Sequence, residues 1–126
     1  MSQSPESVLK AVDAILGAFG ESFEIPADRA EAAAGGDREL LAQALDFLRN
    51  RDLVLFAAEE LRLFHVRRLV ATFEDFVRRK RAVRAEELNL AFGLPSAITF
   101  QILGWLDRDG CIVLASEDDG IVVRHR

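Results

Sequence analysis

The chain has 126 residues, 50% of them hydrophobic, 29% charged and 8% aromatic, a globular composition and neither a disordered nor a fibrous one. Sixteen basic against twenty-one acidic side chains leave a formal charge of −5, so the net field repels nucleic acid unless cations are concentrated locally. Cys111 is the single cysteine, which excludes an internal disulfide; with no signal-like start and no apolar run of about 18 residues, a cytoplasmic chain that does not span a membrane is expected.

Ser4 and Pro5 offer an N-cap and an N1 proline to a first helix, whose Val8, Val12, Ile15, Leu16 and Phe19 recur at helical spacing until Gly20. Ile25 and Pro26 lead into a short alanine-rich helix ending at Gly35 and Gly36. Asp37 can cap a third, which carries Leu40, Leu41, Ala44, Leu45, Phe47 and Leu48. A hairpin follows, with a strand from Leu53 to Phe56, a turn from Ala57 to Glu60 and a return through Leu61 and Leu63. The plan then starts again. Val66, Val70, Phe73 and Val77 fall on one helix, Leu88 and Phe92 on a second before Gly93, and Ile98, Ile102, Leu103 and Leu106 on a third. The second hairpin runs from Ile112 to Ala115, turns at Ser116 to Gly120 and returns from Ile121 to Val123.

This recurrence is an internal repeat. A shift of 58 positions places Val8 on Val66, Ile25 on Val83, Gly35 on Gly93, Gln43 on Gln101, Phe47 on Trp105, Leu48 on Leu106 and Val54 on Ile112 without a gap. Beyond that point the second copy is two residues longer, in a polar turn where insertions cost least, and His65 then meets His125. The expected class is mainly α with small β-hairpins (α+β), as two domains over residues 1–65 and 66–126.

Helix, helix-turn-helix and hairpin in that order is the plan of the winged helix. The run VRAEELNLAFGLPSAITFQILGWLDRDGCIVL, from Val83 to Leu114, resembles that superfamily, so tandem winged-helix domains are implied. Gly110 suits the left-handed corner before the wing, where the first copy has Asp52. Residues 73–123, with EDDGIVV on the second wing, are similar to the winged helix of DDRGK-domain proteins, which implies a scaffold for a ligase of a ubiquitin-like modifier. The tandem plan on a short acidic chain resembles the small subunit of the ESCRT-II complex, which implies a membrane-remodelling subunit.

A DNA-reading winged helix lays its third helix in the major groove with polar or basic side chains outward. Taking Leu103 and Leu106 as inward, the outward residues here are Ala97, Phe100, Gln101, Gly104 and Arg108, and in the first copy Glu39, Ala42, Gln43, Asp46 and Asn50. The wing tips carry Glu59 and Glu60, then Glu117, Asp118 and Asp119, where phosphate contact needs Lys or Arg. Phe100, with Ala97 and Gly104 beside it, makes a small apolar face, and Phe100, Gln101 and Gly104 are expected to dock a protein partner; a phase one position off would instead pack Phe100 between the copies. Trp105 and Phe47 are expected in the cores, with Cys111 as a small buried filler.

Residues 8–65 hold 6 basic and 11 acidic groups, whereas 66–126 hold 10 and 9. The excess lies in Arg78, Arg79, Lys80, Arg81 and Arg84, with Arg67 and Arg68 a helix-length earlier. These are either a solvated helix end or a contact for an anionic partner or nucleic acid. No phosphate loop, metal set or nucleophile pair is visible, so neither catalysis nor a cofactor is expected; the paired carboxylates Glu59–Glu60, Glu86–Glu87 and Asp118–Asp119 lack apolar surroundings. The expected function is a non-catalytic protein-interaction adaptor or small scaffold subunit. The alternative is a DNA-binding transcriptional regulator or chromosome-associated protein using residues 78–84. A homodimer through the acidic first copy and the basic segment is a further partner reading.

Overall fold

The structure is a computed structural model and describes residues 4–126. The chain divides into a first unit that ends at Val66 and a second from Arg67 to Arg126. In the first, Ser4 Oγ accepts the Ser7 N–H at 3.2 Å and Pro5 sits at the first helical position, so α1 runs from Pro5 to Ala18. After β1 (Glu24–Pro26) and α2 (Ala27–Ala33), Asp37 caps α3 (Arg38–Asn50) by accepting the Leu40 N–H at 3.1 Å. The wing is β2 (Val54–Ala57) and β3 (Arg62–His65). The second series is α4 (Val66–Lys80), β4 (Ala82–Arg84), α5 (Ala85–Phe92), α6 (Ser96–Arg108), β5 (Ile112–Glu117) and β6 (Gly120–His125).

Element boundaries repeat at the sequence spacing. Both ends of α6 lie 58 residues beyond those of α3, as do both ends of β4 relative to β1. The buried sets coincide too: Ile15 and Phe73, Ile25 and Val83, Ala30 and Leu88, Ala44 and Ile102, Leu48 and Leu106, Val54 and Ile112. One apolar template therefore closes each core, with the second built from larger side chains at four of those positions and a smaller one, Val83, at a fifth. Asp52 and Gly110 both take the left-handed corner, at φ 55 and 78.

The sheets correct the sequence reading. Each hairpin gains a third, antiparallel strand, with Ile25 opposite Leu63 and Val83 opposite Val123, so the orders are β1-β3-β2 and β4-β6-β5. Strands of three residues are too short to show a period of two, and their partners are remote in sequence. The second wing turns at Asp118 and Asp119 alone, because Glu117 pairs with Gly120, so Ser116, Glu117 and Gly120 are strand rather than turn. Leu61, expected on the return strand, lies in the first wing's turn at φ 52. Phe47, Trp105 and Cys111 are half-buried, not core. Phe47 lies at the core margin beneath Arg51, whose Cζ is 3.6 Å from the ring centroid.

Candidate binding surface of the second unit

The inward stripe of α6 is Ile98, Ile102, Leu103 and Leu106, joined by buried Thr99, which turns Ala97, Phe100, Gln101, Gly104 and Arg108 to solvent. The outward phase taken from the sequence is the observed one, and Phe100 is 43% exposed. On α3 the same phase exposes Glu39, Ala42, Asp46 and Asn50, while Gln43 is half-buried.

Phe100 lines a cleft of about 430 Å³ formed by α5, α6 and the tip of the second wing. Leu90, 77% exposed on α5, and Ile121 line it as well. Gln101 and Gly104 are exposed on α6 but do not line it. Leu90 has a sequence signal that the helical stripe hides: it stands between Leu88 and Phe92, a lone leucine on a polar face. In the cleft wall Asn89 Nδ2 donates to Ser96 Oγ at 3.1 Å, while Asn89 Oδ1 is buried with no hydrogen-bond partner among the described residues.

Arg84 also lines this cleft. Its Nη2 lies 3.0 Å from Asp119 Oδ2 on the wing tip, so it closes an ion pair across the cleft and stands apart from the basic run with which it was grouped. Arg78, Arg79 and Lys80 occupy the last turn of α4. Asp75 pairs with Arg78 at 2.9 Å and with Arg79, and these two guanidinium groups hold its carboxyl below the usual aspartate range. Lys80 Nζ lies 5.6 Å from the Phe76 ring centroid. Arg81 adopts a left-handed backbone, φ 68, and its carbonyl accepts the His125 N–H at 3.1 Å. The pairing of β4 with β6 thus adds the chain's last residues, His125 and Arg126, to the basic end, an addition hidden from any local reading of sequence. Arg67 and Arg68 lie in the first turn of α4, about 15 Å away along the helix axis, so they do not join it. Of the two histidines, His65 packs edge-on to Phe19 at 5.3 Å and His125 is exposed.

No family model matches the chain, and no curated protein matches it. Among solved structures it is similar to the mRNA-binding domain of elongation factor SelB from E. coli in complex with SECIS RNA. The TM-score is 0.59 over 98% of this chain and 100% of that one, at 15% sequence identity. The shared fold is the winged helix. At that identity the likeness concerns backbone architecture, and the cleft and basic end rest on this chain's own side chains. No helix among the described residues is long and apolar enough to cross a membrane.

Proposed function

We propose that the chain is a non-catalytic binding module, an adaptor or small scaffold subunit, that holds a partner protein in the α5–α6–wing cleft of its second unit. The observation that carries this reading is the convergence of Leu90 and Phe100, two large apolar side chains left exposed, on one concave surface. Covering them stabilises a complex by roughly 25 cal/mol per Å² of apolar surface removed from water. The acidic wing tip beside them argues against a phosphate backbone at this cleft. Its one hydroxyl, Ser96 Oγ, meets Asn89 and no base among the described residues, which is why catalysis is left out. The 58-residue spacing of boundaries and buried positions supports an origin of the two units as copies of one winged helix.

A second reading places a nucleic-acid backbone on the end formed by Arg78, Arg79, Lys80 and Arg81. Arg81 favours it: a non-glycine residue held left-handed costs about 1–2 kcal/mol, and here that strain presents a cation. The similar SelB domain is bound to RNA, which keeps this reading in view.

The test pans a displayed random-peptide library on the immobilised full chain and on Phe100→Ser. Enrichment on the wild type that disappears in the variant, with its thermal midpoint unmoved, supports the protein-binding reading. Enrichment indifferent to Phe100, or none, overturns it. In parallel, a labelled duplex and a labelled RNA hairpin are titrated at about 50 and 200 mM salt. Binding with a log–log salt slope of about −4 would promote the basic end.

A further inference from the structure

We infer that the occupant of the second unit's cleft is a segment with an apolar anchor flanked by lysine or arginine. This rests on the protein-binding reading above and adds the chemistry of the partner. The floor offers Leu90, Phe100 and Ile121 to an apolar side chain. The rim has the opposite character. Glu86 lines the cleft, Glu87 follows it on the first turn of α5, and Asp118 and Asp119 form the wing tip. Arg84 is the single cation among the lining residues, and it is committed to Asp119. Glu117 is held by Arg124 at 3.2 Å. Glu86 and Asp118 therefore stand exposed with no ion pair among the described residues, and Glu87, also exposed, keeps one oxygen on the Arg84 N–H at 3.3 Å.

An acidic rim around an apolar floor selects by sign. An acidic segment or a phosphate backbone meets like charge at the point where its own groups would lose water, whereas a basic segment gains attraction during approach and in the complex. Charge along β6 reinforces the choice. Its first residue, Gly120, follows Asp119, while its last, His125, is bonded to Arg81, so a basic segment is drawn to the cleft end and repelled from the other.

The residues enriched next to the apolar anchor in the library selection test this directly. Lys and Arg should be enriched and Asp and Glu depleted on the wild-type chain. The double variant Glu86→Gln, Asp118→Asn should lose that bias while still requiring Phe100. Synthetic peptides made from the winners should bind the double variant about two- to fivefold more weakly in fluorescence polarisation, with the gap closing as salt is raised. Phe100-dependent winners with neutral or acidic flanks would overturn this inference and leave the protein-binding reading standing. Absence of Phe100-dependent winners would overturn both.

Discussion

The two units share a buried frame and differ in what they show to solvent. In the first, the exposed positions of α3 are Glu39, Ala42, Asp46 and Asn50, and Arg62 of the wing reaches Glu24 of β1 and Glu60, each at 2.6 Å, and lies over Phe64, with Glu59 and Leu61 exposed in the turn. The bond to Glu24 is the main reason that its guanidinium is held above its ordinary pKa, with Glu60 adding to it against the opposing effect of burial. In the second unit the corresponding face of α6 is small and apolar around Phe100, and the wing tip leaves Asp118 unpaired among the described residues. Equivalent core positions therefore say what the fold is. The difference lies in a handful of surface residues, and the proposed function uses those of the second unit.

The largest expected effect comes from breaking the shared frame. Phe73, fully buried and stacked on Phe92 at 5.6 Å between ring centroids, stands where the first unit has Ile15. Phe73→Ala should cost about 3–5 kcal/mol and Ile15→Ala about 2–5 kcal/mol, read from denaturant unfolding followed by circular dichroism. Losses below about 1 kcal/mol would mean that these positions are not the cores described.

The left-handed corner offers a reciprocal exchange. Gly110→Asp should destabilise by about 1 kcal/mol, while Asp52→Gly should be neutral or gain up to about 1 kcal/mol, because glycine alone occupies that region without a Cβ conflict. Calorimetric midpoints moving in the same direction would contradict the equivalence of the two corners. A third contrast concerns Thr99, whose buried hydroxyl has no hydrogen-bond partner among the described residues, at the place of half-buried Leu41. Thr99→Val should leave stability unchanged or raise it by about 1 kcal/mol in the same assay.

The smallest effect separates the basic end from the rest. Because Arg78 and Arg79 depress the Asp75 pKa, the interaction is fully present at neutral pH, persists through the ordinary carboxylate range and is lost as the pH falls through the depressed value. A carboxyl-carbon NMR titration should give Asp75 a midpoint below the usual aspartate range. Asp75→Asn frees both guanidinium groups, so any polyanion affinity should rise; a fall would place the bound phosphate elsewhere.

Much of this was legible in the residues. Caps at Ser4 and Asp37, the stripes of α3 and α6, and the 58-residue register follow from local chemistry and spacing, and so does the outward phase that exposes Phe100. What stayed hidden depends on distant partners. The third strand of each sheet exists only because β3 and β6 pass alongside it. Arg84 belongs to the cleft because Asp119, 35 positions away, folds back onto it. Leu90 gains significance from Phe100 across α5 and α6, and Arg81 from His125. Phe47 and Trp105 read as core because their size argues for burial, yet they sit at the flank of the inward stripe, where Arg51 can cover Phe47.

β6 begins beside carboxylates and ends beside guanidinium groups, and a strand of six residues spans about 20 Å. Groups of opposite sign therefore stand at the two ends of one strand, and a charged surface within about 8 Å at physiological salt pulls on them in opposite directions. The wing is the end drawn to a cationic surface, and the end of α4 the one drawn to an anionic surface.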